Sequence, residues 1–380
     1  MKKIFDYIDK NADRFLDFWI DICNIEGVAT DKRELDFLVD KINEFTNELN
    51  IFTERIPFEK CGDFLIVDTL HTGEPGVCFL AHMDTVHKIG AFGSPAVRRD
   101  GDKLIGPGVI DCKGGIAIAL LAMMALIEAG YDKNARLLLT SDEEISNVLG
   151  GEVEFDVIKR AVSGFSAAFN CEVAGEGEVV VSRKGILRYR VEIEGIASHS
   201  GIDYFAGASA IKEAAHKIIA LESLSEKGKT TYNCGVIKGG GVPNIVPEHC
   251  EFIVDARVND IEAMEQAEQV LKSVAEKNFI DGTKTKLCFI SKRPPMVRNA
   301  DTERLFNHLS ATSLKYDLGT LTPIESGGGS DSAYTQLAGV PSICAVGATG
   351  DFCHTVREYA NISSLATRAK LLAAAVLEMN

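Results

Sequence analysis

The chain has 380 residues, 46% of them hydrophobic, and a formal net charge of −15 at pH 7. That length supports a large core and two domains rather than one, and the acidic balance excludes a nucleic-acid binder, which needs a basic surface to displace phosphate counterions. No run approaches the roughly 18 apolar residues of a membrane span. Acids, not an apolar signal core, follow the first lysines of MKKIFDYIDKNADRFLDFW, so the expectation is a cytoplasmic protein with no membrane partner.

The first fifty residues carry two helical patterns, Ile4, Phe5, Ile8, Phe15, Phe18, Trp19 and Ile22, then Leu35, Leu38, Val39, Ile42 and Phe45. Strand-length apolar runs follow, DFLIVDTL and GVCFLAH, then RLLLTSDEE after a long apolar helix from Gly114 to near Gly130, then SAAFNCE. Apolar runs alternating with helices predict an α/β fold, a mostly parallel sheet flanked by helices. From about Val180 the strands become alternating and more polar: GILRYRVEIEG, a helix over Ala208 to Leu224, TYNCGVIKGG, EHCEFIVDARVND, a helix over Ile261 to Phe279, and KTKLCFISKR. That order predicts an antiparallel, ferredoxin-like α+β module inserted into the larger domain. After Pro294 come helices near Thr302 to Ser313, from Ser332 and from Ile362, with SICAVG as a buried strand. The expected domains are 1–182 and 294–380 as one core, split by a lid over 183–293.

In open α/β sheets, sites form beyond the carboxyl ends of the strands. At those ends stand His82, the pair Glu143 and Glu144, and Glu172; His354 follows SICAVG through a loop, and Asp111 lies in the glycine-rich turn GPGVIDCKGG. Two imidazoles and three carboxylates without sulfur suit zinc or a similar first-row ion rather than calcium. They are too many for one tetrahedral ion and match two ions about 3.5–4 Å apart with one carboxylate bridging, leaving one acid spare. Taken singly, a strand-end histidine is more often a hydrogen-bonded core residue, and an acid pair a solvated surface. Ten cysteines with no CxxC pair read as inert buried thiols. Cys112, Cys171 and Cys353 adjoin candidate ligands, but neighbours in extended chain point to opposite sides, which turns them to the core.

The succession AHMDTV, GPGVIDCKGG, TSDEE, NCE, ASHSG, SGGGSDS and FCH resembles the di-zinc aminoacylase and carboxypeptidase family of metallopeptidases, most of all the bacterial glutamate carboxypeptidases. The likeness runs from about Leu80 to Ser364. It implies a zinc-exopeptidase-like core with a lid used for dimerisation, two Zn2+ ions (Co2+ or Mn2+ as substitutes), and a small peptide or N-acyl amino acid as substrate. Carried over by position, it implies that Asp111 bridges the ions, with His82 and Glu172 on one and Glu144 and His354 on the other. Asp84, two residues past His82, would hydrogen-bond its ring, and Glu143 would be the general base. A cis peptide is implied after Asp111. His199 of ASHSG would stabilise the oxyanion from a partner subunit's lid; without the likeness it reads as a loop histidine capping the helix near Ala208. Asn244, Arg257 and Arg293 match positions that hold a substrate carboxylate, for which a forked guanidinium is apt, though Arg293 alone also reads as a hinge residue in a surface ion pair. Gly328, in the run Gly327 to Gly329, would form a tight backbone wall near the metals. The favoured reading is a glutamate-releasing carboxypeptidase; the alternatives are an N-acyl amino acid deacylase of the acetylornithine deacetylase or desuccinylase type, and a metal-stabilised binding protein without activity.

Overall fold

The computed structural model describes residues 1–173 and 175–379. The chain divides into two compact units, one of Met1–Ser182, Arg298–Ser326 and Ser330–Asn380, the other of Arg183–Val297 with Gly327–Gly329.

The first unit is built on an eight-stranded sheet in the order Phe52–Ile56, Phe64–Asp68, Asn134–Thr140, Pro75–His82, Ala167–Asn170, Ser342–Cys344, Glu178–Arg183, Thr322–Ser326. The middle four strands are mutually parallel. Phe64–Asp68 runs antiparallel to Asn134–Thr140 and to Phe52–Ile56, and Glu178–Arg183 antiparallel to Ser342–Cys344. The parallel sheet expected from the apolar runs is thus confined to its centre.

Strand alternation sorts the core into two layers. Leu65, Val67, Val77, Phe79, Leu137, Leu139 and Phe169 pack with the helices Lys2–Asn24, Lys32–Glu48, Lys113–Ala129 and Ser364–Glu378. Phe64, Ile66, Cys78, Leu80, Leu138 and Ala168 face the opposite way, onto Val157, Ile158, Ala161 and Tyr334 of Glu152–Val162 and Ser332–Leu337. Lys113–Ala129 is buried over most of its surface, as a helix apolar all round must be. It ends at Gly130, whose φ of +73° is the left-handed C-cap that glycine adopts without penalty. Among the described residues, no helix is long and apolar enough to cross a membrane, and all ten cysteines are free thiols.

A small sheet absent from the sequence reading pairs Arg98–Asp100, Lys103–Ile105, Tyr359–Asn361 and Gly350–Asp351. Its strands are two or three residues long, too short to leave a periodic signal. It binds the segment before Asp111 to the segment around His354.

The second unit is a four-stranded antiparallel sheet in the order Thr231–Gly239, His249–Val258, Gly185–Glu194, Lys284–Arg293. One face, with Leu187, Tyr189, Val191, Phe252 and Val254, packs on Ala214 and Leu221 of Ala210–Glu222 and on Met264, Ala267 and Leu271 of Ile261–Glu276. The intervening positions carry Arg188, Arg190 and Glu192, paired as Arg188–Asp255 at 2.7 Å and Arg190–Glu192 at 2.8 Å. Fully buried Lys217 donates to the carbonyls of Val274, Ala275 and Lys277 at 2.8, 3.0 and 2.5 Å and pairs with Glu213 at 3.0 Å. It thereby satisfies carbonyls that a helix C-terminus otherwise leaves bare.

Candidate metal centre

Parallel pairing brings the strand ends together. His82 pairs in register with Thr140, and Leu80 with Asn170, so His82, the loop after Thr140 and the turn after Asn170 leave the sheet along one edge. The small sheet brings in the turn with Asp111 and the loop with His354. His82 Nε2 lies 3.1 Å from Asp111 Oδ1 and 3.7 Å from Glu172 Oε1. His354 Nε2 lies 3.2 Å from Asp111 Oδ2 and 3.2 Å from Glu144 Oε2. The two oxygens of Asp111 therefore serve different imidazoles, each accompanied by a second carboxylate.

This donor set fits a pair of divalent cations. With Zn–N and Zn–O bonds of about 2.0–2.2 Å, two ligands of one tetrahedral ion lie about 3.3 Å apart, and the four separations above bracket that value. The site's own electrostatics ask for positive charge. Burial disfavours ionisation of Asp111, but His354 and His82 outweigh it and hold its carboxyl well below the usual range. Burial, then the Asp111 charge, pushes Glu144 up to about 8. The Asp111 and Glu144 carboxylates raise His354 to about 11; His82 is also raised, the Cys112 sulfur and the Asp111 and Asp84 carboxylates overcoming its burial. Protons on both rings and on Glu144 thus stand where cations would.

Asp84 is a wholly buried anchor. Its oxygens accept from the backbone N–H groups of Glu143 at 3.2 Å and Glu144 at 2.9 Å, and its carboxylate is 3.4 Å from His82 Nδ1. The nearer partner of that nitrogen is the Asp84 main-chain carbonyl, at 3.0 Å. The residue expected to orient one ring therefore also holds the acid pair, and Glu143 is itself buried.

Behind the acid pair, a cluster the sequence reading missed organises the loop. Asp142 accepts from the N–H groups of Leu149 and Gly150 at 3.1 and 3.2 Å, and Glu154 accepts from Asn147 Nδ2 at 2.9 Å and from the Cys61 thiol at 3.0 Å. A signal was available: Glu154 occupies the same helical stripe as Val157, Ile158 and Ala161, an acid where the pattern calls for an apolar residue. Burial, then the adjoining Asp142, drives the Glu154 carboxyl far above its ordinary range. A carboxyl whose folded pKa is raised stabilises fully below its unfolded value and loses that contribution as pH rises toward the folded one. Glu154→Gln, which mimics the protonated acid at every pH, is expected to gain in Tm over the unmodified chain between pH 5 and pH 8, by thermal melts at both. An equal Tm difference at the two pH values would refute the protonated-acid assignment.

Close backbone approach explains two glycines. A Cβ on Gly115 or on Gly347 would lie 2.0 Å from the carbonyl oxygen of Cys171, so the residue before Glu172 is gripped from both sides. The Asp111–Cys112 peptide is cis. Cys112 is the N-cap residue of Lys113–Ala129 with φ −131° and ψ 37°, which is not extended chain, so strand alternation does not govern its direction. Its sulfur accepts from the His82 N–H at 3.0 Å and groups with His82 and Glu172, closer to the site than alternation predicts; burial keeps the thiol from ionising.

The remaining predicted residues lie in the second unit. His199 is exposed, bridges to Ile245, and its Nδ1 accepts from the Gly201 N–H at 3.2 Å; in the neutral ring the proton is then on Nε2. It does not cap the following helix, whose N-terminus is held by Ser209. Asn244 is exposed, its carbonyl accepting from Ser200 N–H at 2.9 Å. Arg257 forks onto Asp255 at 2.5 and 3.1 Å and donates to the Gly327 carbonyl at 3.2 Å. Arg293 is buried with its Cδ against Gly329, and Arg183 donates to the Gly328 and Gly329 carbonyls at 3.5 and 3.1 Å. The glycine run thus packs with these arginines.

A parallel-centred sheet at whose edge two imidazoles and two glutamates gather around one shared aspartate defines a metal-dependent hydrolase. The chain belongs to peptidase family M20/M25/M40, whose model matches residues 78–378. It is 28% identical over 323 residues to carboxypeptidase G2 of Pseudomonas sp. (strain RS-16), covering 84% of this chain and 77% of that one. To the succinyl-diaminopimelate desuccinylase of Rickettsia akari (strain Hartford) it is 26% identical over 321 residues, covering 77% and 80%. In fold it is similar to a tripeptidase from Staphylococcus aureus subsp. aureus Mu50, with a TM-score of 0.77 at 22% identity over 96% of this chain and 98% of that one.

Proposed function

We propose that this chain is a two-zinc carboxypeptidase that hydrolyses the amide bond preceding a C-terminal amino acid, with glutamate as the preferred residue. The observation that carries the reading is the division of Asp111, one oxygen 3.1 Å from His82 and the other 3.2 Å from His354. His82, Asp111 and Glu172 would hold one Zn2+, and Glu144, Asp111 and His354 the other, with Co2+ or Mn2+ as substitutes. When bound, such a pair supplies Lewis acidity at the scissile carbonyl and a nucleophile near neutral pH. Glu143, placed by the Asp84 carboxylate, takes the proton from the attacking water and hands it to the leaving amine. His199, with Nε2–H free of its own loop, would donate to the oxyanion, supplied by the lid of a second copy in a homodimer. Ile202 and Phe205, which follow it, are 83% and 96% exposed, apolar surface suited to an interface.

Asn244, Arg257 and Arg293 are assigned to the substrate carboxylate, and Gly328 to the backbone wall of the substrate site. For Arg257 that means exchanging Asp255 for the substrate's acid, a like-for-like bidentate partner. A second reading, an N-acyl amino acid deacylase, draws on the named desuccinylase relative. A panel of dipeptides, acyl-glutamates, and N-acetyl and N-succinyl amino acids, assayed with and without chelator, separates them. Glutamate-ended substrates are expected to lead in kcat/KM by about tenfold or more, a margin of roughly 1.4 kcal/mol. Preference for the acyl group would favour the deacylase, and no chelator-sensitive hydrolysis of any member would leave a metal-stabilised binding protein.

A further inference from the structure

Glu358 is 1% exposed and has no part in the chemistry above. It lies four residues past His354, just before the strand Tyr359–Asn361. One carboxylate oxygen accepts from the backbone N–H of Ile110 at 3.1 Å and, at longer range, of Asp111 at 3.4 Å. The other meets His87 Nε2 at 2.5 Å. The Glu358 carbonyl also receives the Gly106 N–H at 3.4 Å. His87, five residues past His82, is buried with its ring edge-on to Phe92. Glu358 therefore joins its own segment, 354–358, to two others, 82–87 and 106–111, and each of the three carries one of the proposed ligands. A buried carboxylate is costly unless its lone pairs are filled, and here three N–H groups fill them, with buried Lys113 adding favourable charge.

We propose that Glu358, oriented by His87, is a positioning residue. It sets the main chain of Asp111 against the His354 loop so that the two Asp111 oxygens diverge toward separate cations. This rests on the two-cation reading of the site. Glu358 touches neither substrate nor cation and acts only through Asp111 and His354. A simple stitch between loops would affect folding alone; a positioning role also alters how the site receives metal.

The test titrates Co2+ alone into metal-free protein, reading the stoichiometry, the affinity and the visible Co2+ absorption. Glu358→Gln is expected to weaken Co2+ binding about 10–100-fold, the range found for partners that orient metal ligands, and to change the visible band. When the enzyme is reloaded, kcat is expected to fall over the same range, with KM within about threefold. His87→Gln keeps an N–H donor and is expected to stay near the unmodified chain, whereas His87→Phe, of similar size without a donor, is expected to behave like Glu358→Gln. This second pair carries the test if Glu358→Gln does not fold. Unchanged Co2+ affinity and spectrum in Glu358→Gln, or identical behaviour of the two His87 variants, would overturn the proposal. An unmodified chain that binds fewer than two Co2+ would sink the two-cation reading and this inference with it; two Co2+ in the unmodified chain with unaltered variants would sink the inference alone.

Discussion

Glu143→Gln is expected to lower kcat by on the order of 10²–10⁴, the usual worth of a positioned general base, while leaving two equivalents of metal bound. Glutamine has the size of glutamate and cannot take a proton. The contact that places residue 143 runs from its backbone N–H to Asp84 at 3.2 Å, so the substitution leaves the loop's tether in place. Glu144, proposed as the ligand, is tethered independently to the other Asp84 oxygen at 2.9 Å. KM should therefore move little while kcat collapses, the pattern of a group acting only in the transition state. Steady-state kinetics together with metal analysis of the purified variant check this. Turnover within about tenfold of the unmodified chain would remove Glu143 from the base role, and loss of a metal equivalent would make it a ligand instead.

Asp111→Asn is expected to cost metal as well as activity, because one substitution strikes both proposed cations. An amide offers one oxygen where the carboxylate offers two, and it removes the negative charge that the two imidazoles face. The expected result is at most one equivalent of zinc, and activity reduced by on the order of 10³ or more, corresponding to several kcal/mol of lost charge stabilisation. The same argument governs metal removal. Both rings are pushed toward the protonated form in the metal-free site, His354 by the Asp111 and Glu144 carboxylates and His82 by the Cys112 sulfur with Asp111 and Asp84, so cation uptake should displace protons, and apparent affinity should rise from pH 6 to pH 8. Metal that binds the folded form alone also stabilises it, by about 2.7 kcal/mol at a hundredfold excess over Kd. Thermal melts before and after chelation, with dye-monitored proton release on adding zinc back, measure both. A chelated protein with an unaltered Tm, or zinc uptake without proton release, would contradict the charge argument for the site.

The proposed ligand residues were legible because strand ends are legible. His82, Glu144 and Glu172 each follow a short apolar run, and parallel pairing places the ends of such runs on one edge. The inserted module was legible too, its alternation of Leu187, Tyr189 and Val191 with Arg188, Arg190 and Glu192 marking one dry face and one wet face. Cys112 shows where such reasoning stops. Alternation is a property of extended backbone, and a turn residue at a helix N-cap obeys its own torsions. Glu358 escaped notice because its partners, His87 and Ile110, are 271 and 248 positions away in the chain, whereas Glu154, with Cys61 93 positions away but Asn147 only seven, left a local cue in its helical stripe.

The order of residues alone determined which side chains are available and where local periodicity ends. Apolar period and glycine placement govern helices and strands through contacts a few residues apart, and those rules delivered the α/β core, the inserted module and the set of imidazoles and acids. Only the folded chain decided how Asp111 divides its oxygens between two rings. Two contacts lie behind it: a small sheet joins Lys103–Ile105 to Tyr359–Asn361, and the buried Glu358 carboxylate accepts from the Asp111 N–H. Both are interactions across some 250 residues, whose geometry is set by packing and by the need to satisfy buried hydrogen-bonding groups rather than by any neighbour in sequence.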